Sequence, residues 1–332
     1  MKRAKISGIG KYLPDRIVTN TDLEKMMDTS DAWIQERTGI KERRFAEPGK
    51  ETPSWMGAQA SLQALDMAGL KTSDVDFIIF ATLSPDYFFP GSGCPMQKHL
   101  DLAGIGALDV RNQCSGFVYS LIIAEQFIKS GMYKNILVTC AEVQSTGLDL
   151  STAGRDVAVI FGDGAGAVVV CESDDPKKGI LSGNMHADGN YATELMVEEP
   201  GSIQPARSSK EMLDKRTVFP HMNGRHVFKH AIQKFPAAII EALDDAKQTL
   251  DDLDLLIPHQ ANKRITEAIQ QKLKIAEDKV YSNIERYGNT TAASIPIAMR
   301  EAFDDGLIKE GSLVCTAAFG SGFTWGANCI RF

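Results

Sequence analysis

Six cysteines in 332 residues, at positions 94, 114, 140, 171, 315 and 329, are too few and too dispersed for a disulfide scaffold. No two form a C-x-x-C pair, so reduced thiols are expected rather than a zinc ribbon or a dithiol motif. Charge of one sign is also scarce: 36 Lys and Arg stand against 43 Asp and Glu, a net charge of −7, and the basic residues are scattered. No general nucleic-acid surface is expected, although a local basic patch for an acidic partner stays open. Long apolar runs are missing as well. The longest, 77–83 and 165–171, have the length of buried strands and fall short of the roughly 18 residues that cross a bilayer. The basic start Met1-Lys2-Arg3 is not followed by the apolar segment of a secretory signal, so no membrane association and a cytoplasmic location are expected. What is present is ordinary globular composition, 43% hydrophobic and 24% charged. At roughly 150 residues per domain, the length suits two domains or one duplicated unit.

Short β-rich runs alternate with longer helical patterns, as in α/β folds with a buried sheet. Residues 77–82 read as a buried strand, 115–129 as a helix with Phe117, Leu121, Ala124 and Ile128 on one face, and 135–140 as the next strand. Residues 158–161 and 165–171 flank the turn Gly162-Asp163-Gly164 and read as a hairpin. The charged stretch 198–220, with its Pro and Gly, reads as an inserted surface loop. The second half then repeats the first. Ser73-Asp74-Val75-Asp76 leads into one strand and Asp251-Asp252-Leu253-Asp254 into Leu255-Leu256-Ile257. Cys114 lies 38 positions beyond Asp76, and Asn289 lies 35 beyond Asp254. Leu137 and Leu313, in the strands that follow, come 23 and 24 positions later. Four matches in one order point to an internal duplication with halves 1–178 and 179–332, against the alternative of two unrelated α/β domains.

Three residues in this repeat can carry chemistry. Cys114 follows the strand-like 107–110 and precedes a helix, whose unpaired N–H groups favour a thiolate over a thiol. A buried structural cysteine is the alternative, and it is the reading for Cys140, Cys171, Cys315 and Cys329. His259, in Pro258-His259-Gln260-Ala261-Asn262, stands at a strand end, where ligands collect in α/β sheets. It is suited to donate to an oxygen or exchange a proton near neutral pH, or simply to pack. Asn289 reads as the counterpart of Cys114 in the repeat, with helix capping as its structural alternative. A nucleophile, a donor and an amide at equivalent strand ends of two related halves would meet at the interface between them.

The chain resembles the β-ketoacyl-acyl carrier protein synthase III family of condensing enzymes, within the thiolase-like superfamily, from end to end. The resemblance is carried by Tyr12-Leu13-Pro14, Thr29-Ser30-Asp31-Ala32-Trp33-Ile34, Arg37-Thr38-Gly39-Ile40 and Phe161-Gly162-Asp163-Gly164-Ala165-Gly166. It continues through Pro258-His259-Gln260-Ala261-Asn262, Gly288-Asn289-Thr290 and Ala318-Phe319-Gly320-Ser321-Gly322-Phe323-Thr324-Trp325-Gly326. Each Gly-rich piece is weak alone; the ordered set is specific. It implies an α/β, thiolase-like fold in which two duplicated halves pack as a layered αβαβα core.

The resemblance also implies the chemistry. Cys114, His259 and Asn289 would form a triad in which Cys114 accepts an acyl group from acyl-CoA as a thioester. Malonyl on acyl carrier protein would then lose CO2 while His259 and Asn289 donate to the enolate oxygen. The carbanion would attack the thioester and give a 3-oxoacyl carrier protein, initiating fatty-acid synthesis. No metal or redox cofactor is implied. The backbone N–H groups of Cys114 and Ser321 would hold the acyl oxyanion. Trp33 and Arg155 match the residues that sandwich adenine, and Arg37 and Thr29 those around the nucleotide phosphates. Gly224, Asn262 and Phe319 match substrate-tunnel positions, and Phe89 the aromatic that a homodimer partner lends to the acyl pocket. Lys229, Gln260, Arg264 and Lys272 match the surface that receives the acidic carrier protein.

Departures fall close to the nucleophile. Small residues usually precede it in the family, whereas this chain has Asn112-Gln113-Cys114, and Ser321 stands where Gly is typical. These changes bear on acyl-chain length rather than on the chemistry. A degradative thiolase would need a second Cys where Phe319 stands, and a hydroxymethylglutaryl-CoA synthase a Glu base beside the nucleophile. Chalcone-type synthases share the triad but match Trp33, Arg155 and 319–326 less well. A synthase or acyltransferase acting on another acceptor in secondary metabolism stays open, as does an inactive acyl-binding scaffold, although the scaffold would be expected to lack part of the triad.

Overall fold

The computed structural model describes residues 3–203 and 209–332. Two sheets carry the architecture. In the first, the strands run in the order Arg3–Tyr12, Gly164–Ser173, Asn135–Glu142, Phe77–Ala81, Gly106–Val110. The first two pairings are antiparallel and the last two parallel. The second sheet runs Gly179–Ala187, Thr324–Arg331, Leu313–Gly320, Leu255–Pro258 and repeats the sequence of antiparallel, antiparallel and parallel pairings. A trace of its fifth strand survives as a parallel bridge from Leu256 to Val280.

Inner strands such as Phe77–Ala81 and the 165–170 part of Gly164–Ser173 are near-continuous apolar runs because both sheet faces are covered there. The helices Gly116–Ser130 and Ser294–Asp304 lie between the sheets. Pro53–Ala68 covers the outer face of the first sheet, and Gly224–Asp245 with Lys263–Leu273 covers that of the second. The result is five layers, αβαβα. The largest core cluster joins Ile79, Ile136 and Val168 of the first sheet to Leu255, Val314 and Ile330 of the second through Phe117, Leu121 and Ile297. The two sheets therefore share one interior.

Most predicted elements stand where expected, with two differences. No hairpin flanks Gly162-Asp163-Gly164: Ala158 ends the short helix Arg155–Ala158, and Phe161 instead bridges to Asn289. The 198–220 stretch is not wholly irregular, since Lys210–Asp214 is helical; residues 204–208 of it lie outside the described residues. No helix among the described residues is long and apolar enough to cross a membrane.

Candidate active site

Two matching hinges build the site. In the first half the chain leaves the strand Gly106–Val110, turns through Gln113–Ser115 and enters the helix Gly116–Ser130. Gln113 takes a φ of 43°, which costs a residue with a Cβ about 1–2 kcal/mol. Fully buried Phe117 and Leu121 in the helix behind it stabilise by about 1.5–3 kcal/mol each, enough to hold the strain. In the second half Thr291–Ala293 makes the same turn before Ser294–Asp304, and Thr291 takes a φ of 45°. Gln113 and Thr291 are thus equivalent. This register sets Ala292 opposite Cys114, which corrects the pairing of Cys114 with Asn289 read from sequence spacing. A Cβ placed on Gly116 would lie 3.1 Å from that of Ala292, so the hinges abut.

The first hinge presents the thiol. Cys114 is buried, and burial together with the negative charge of Glu142 pushes its pKa up to about 12, against the lowering effect of a backbone N–H. The expected thiolate is therefore a neutral thiol in the free chain, because desolvation outweighs the helix start. A Cβ on Gly320 would approach the Cys114 Cβ to 2.7 Å and Sγ to 3.3 Å. Glycine alone lets the strand Leu313–Gly320 end against the nucleophile.

The second hinge aims two donors. Asn289 is locked by backbone bonds, its N–H to the Ile160 carbonyl at 2.9 Å and its carbonyl from the Gly162 N–H at 3.1 Å. Its Oδ1 accepts from the Thr291 N–H at 2.8 Å, which leaves the Nδ2 group free to donate. His259 is buried, its Nδ1 is 2.7 Å from Ser294 Oγ, and its Nε2 has no partner among the described residues. Burial lowers its pKa to about 3, so the ring is neutral at physiological pH.

One cavity of about 620 Å³ is lined by Cys114, His259 and Asn289 together with Trp33, Arg37, Gly224, Asn262, Arg264 and Phe319. Trp33 lies between two cations, with the Arg37 guanidinium 4.5 Å and that of Arg155 5.0 Å from the indole centre. A second cavity of about 440 Å³ meets the first at Cys114, Phe161 and Leu195. Arg111, Gln113, Gln144 and Ser321 line it beside Leu83, Val143 and Met196. The Ser321 hydroxyl donates to the Leu195 carbonyl.

Other expected residues are placed less directly. Thr29 does not line either cavity, and its buried Oγ1 has no partner among the described residues. Phe89 is 75% exposed and lines neither cavity of its own chain. Asn262 also caps the helix Lys263–Leu273 through the Arg264 N–H and donates to the Arg37 carbonyl at 2.9 Å. Lys229, Arg264 and Lys272 are exposed, as a docking surface requires. Gln260 is not. It is 1% exposed, donates to the Pro258 carbonyl and accepts from Ser282 Oγ and the Asn283 N–H, so it cannot meet a docked partner.

Sequence reasoning missed Thr291, Ser294 and Glu142. Glu142 is fully buried among the Leu83 N–H, the Ser84 and Thr82 hydroxyls and the Gln144 amide, and burial raises its pKa. Only the hydroxyl-rich run Thr290-Thr291 and Ser294 after Asn289 hinted at any of them.

A thiol on one of two abutting hinges and a pair of donors oriented by the other, within an αβαβα core, define a thiolase-like condensing acyltransferase, and this chain is one. Its family is narrower. A model of 3-oxoacyl-[acyl-carrier-protein] synthase III matches residues 108–189, and one of the synthase III C-terminal region matches 243–332. The β-ketoacyl-[acyl-carrier-protein] synthase III of Caldanaerobacter subterraneus subsp. tengcongensis is 47% identical over 329 residues, 99% of this chain and 98% of the relative. The crystal structure of 3-oxoacyl-[acyl-carrier-protein] synthase III from Aquifex aeolicus VF5 has a TM-score of 0.91 at 44% identity, covering 99% of this chain and all 100% of that one. The priming β-ketosynthase of the R1128 polyketide pathway has a TM-score of 0.90 at 31% identity, covering 100% and 97%. The chain belongs to the β-ketoacyl-[acyl-carrier-protein] synthase III family.

Proposed function

We propose that this enzyme loads an acyl group from acyl-CoA onto Cys114 and condenses it with malonyl-acyl carrier protein, the initiating step of fatty-acid synthesis. The observation that carries the reading is the single cavity leading from Trp33 and Arg37 to Cys114, His259 and Asn289. In the first half-reaction the Cys114 sulfur bonds to the acyl carbon, the carbon–sulfur bond to CoA breaks, and the thiol proton ends on the CoA sulfur. The tetrahedral oxyanion is held by the N–H groups of Cys114 and Ser321. In the second, the malonyl carboxylate leaves as CO2, and the electron pair moves onto an enolate that receives hydrogen bonds from His259 Nε2 and Asn289 Nδ2. The enolate carbon attacks the acyl thioester, and the sulfur of Cys114 leaves and takes up a proton.

The nucleotide end of CoA is read by Trp33, Arg37, Arg155 and Thr29. Arg155 already stacks on Trp33, so an adenine entering between them displaces that contact. Pantetheine passes Gly224, Asn262 and Phe319, and the acyl chain enters the cavity beside Gln144. The carrier protein docks on Lys229, Arg264 and Lys272, where basic charge suits an acidic partner. The halves 1–178 and 179–332 act as one unit. The working form is a cytoplasmic homodimer in which Phe89, exposed in the single chain, closes the partner's acyl cavity. The likeness to a polyketide priming synthase favours a second reading, the same chemistry on another carrier protein.

Mass spectrometry of the intact protein after incubation with a panel of acyl-CoAs tests the reading. The acyl mass is expected on the parent and absent from Cys114→Ala. Acylation of Cys114→Ala at the parent rate contradicts it.

A further inference from the structure

The hydrogen bond between Ser294 and His259 decides what His259 can do. The imidazole is buried and neutral, so only one ring nitrogen carries a proton. Nδ1 faces Ser294 Oγ at 2.7 Å, Nε2 has no partner among the described residues, and His259 lines the cavity with Cys114. Ser294 Oγ is itself 3.3 Å from the Gln260 backbone nitrogen, which can only donate. Among the described residues, that hydroxyl makes these two hydrogen bonds. Accepting from Gln260 leaves the hydroxyl proton with one acceptor among the described residues, His259 Nδ1. The backbone holds this geometry rigidly. The His259 N–H donates to the Ala317 carbonyl at 2.8 Å, and Ser294 opens the inner helix Ser294–Asp304 directly after the strained Thr291 turn.

We propose that Ser294 is a positioning residue that donates to Nδ1 of His259 and so keeps the proton on Nε2, where it serves the enolate. This rests on the reading of the second half-reaction given above and goes beyond it. In this form His259 cannot take the Cys114 proton at Nε2, because that nitrogen already bears one. The imidazole is then a donor in the decarboxylation step and has no role as the base of the thiol. One short hinge thereby aims both donors: the Thr291 N–H turns the Asn289 amide, and the Ser294 hydroxyl sets the imidazole tautomer.

The test is nuclear magnetic resonance of the full-length enzyme carrying ring-15N histidine, with the His259 signals assigned by their loss in His259→Gln. The parent is expected to show a protonated Nε2 and an unprotonated Nδ1 that do not titrate between pH 5 and 8. A protonated Nδ1, or averaging between the two forms, overturns the proposal. In Ser294→Ala the tautomer ratio should shift toward Nδ1–H. The kcat for malonyl decarboxylation should fall about 10- to 100-fold, bounded by the roughly 10²–10³ for losing a donor outright. Acyl transfer to Cys114 should fall far less, and Ser294→Thr, which keeps the hydroxyl, should recover most of the decarboxylation. Equal losses in both half-reactions, with the tautomer unchanged, contradict the proposal. If Ser294→Ala does not fold, the parent spectrum alone decides. A parent that decarboxylates no malonyl thioester refutes the proposed function instead, and a parent that decarboxylates normally with Nδ1 protonated refutes only the role of Ser294.

Discussion

The turns at Gln113–Ser115 and Thr291–Ala293 share one backbone and do different work. Each holds a non-glycine residue at a left-handed φ of 43° or 45° and feeds a helix buried between the sheets. The first spends its geometry on exposing one atom, the Cys114 sulfur, at the junction of two cavities. The second presents no nucleophile, and Ala292 occupies the equivalent position. Its backbone and its first helical residue instead orient Asn289 and His259. On the proposed reading, one of the two strained turns serves the covalent step and the other the charge-stabilising step.

The largest expected effect is on the first hinge alone. Cys114→Ala should show no covalent acyl mass from any acyl-CoA, yet still decarboxylate the malonyl thioester, since neither donor is touched. Loss of both activities in a folded variant would break the separation. A smaller effect is expected from crowding the nucleophile. Gly320→Ala puts a Cβ 2.7 Å from that of Cys114, and overpacking of this kind costs about 1–3 kcal/mol. It should lower the melting temperature and slow acylation at least about tenfold, since a misplaced reacting atom alone can cost 10²-fold. An unchanged acylation rate would show that the thiol does not depend on this approach.

The pH dependence of stability sharpens the comparison from the second hinge. The folded pKa of His259, about 3, lies below the ordinary imidazole value of 6.5, so the unfolded chain binds more protons between these values. Stability contributed by this group is present above pH 6.5 and lost as pH falls toward 3. His259→Gln should therefore lose less unfolding free energy between pH 6.5 and 4 than the parent, as read from denaturant midpoints. The smallest effect concerns neither hinge. Phe89→Ala should lengthen the accepted acyl chain while leaving Cys114 acylation intact, and an unchanged chain-length profile would remove Phe89 from the pocket.

Much of this was legible in the sequence, for physical reasons. Strands buried on both faces announce themselves as apolar runs, and Cys114, His259 and Asn289 stand in ordered motifs, although Asn289 follows the short helix Ile284–Tyr287 and not a strand. Three things were not legible. Spacing alone paired Cys114 with Asn289, because the strained residue that fixes the register is Gln in one half and Thr in the other. Gln260 sits in a motif beside exposed cations, yet its side chain turns inward to satisfy buried carbonyl and N–H groups. The thiol's raised pKa depends on burial and on Glu142, which lies 28 positions away in the chain. Ser294 belongs to the same class, since a helix-opening serine shows nothing until the imidazole is seen against it.

The most direct test of the division between the hinges is to measure both half-reactions on Asn289→Ala, acyl transfer by intact mass and decarboxylation by CO2 release from malonyl-acyl carrier protein. The account predicts that acyl transfer to Cys114 is largely kept while decarboxylation falls about 10²–10³-fold, the usual cost of one oxyanion donor. Equal impairment of the two half-reactions in a folded variant would contradict it.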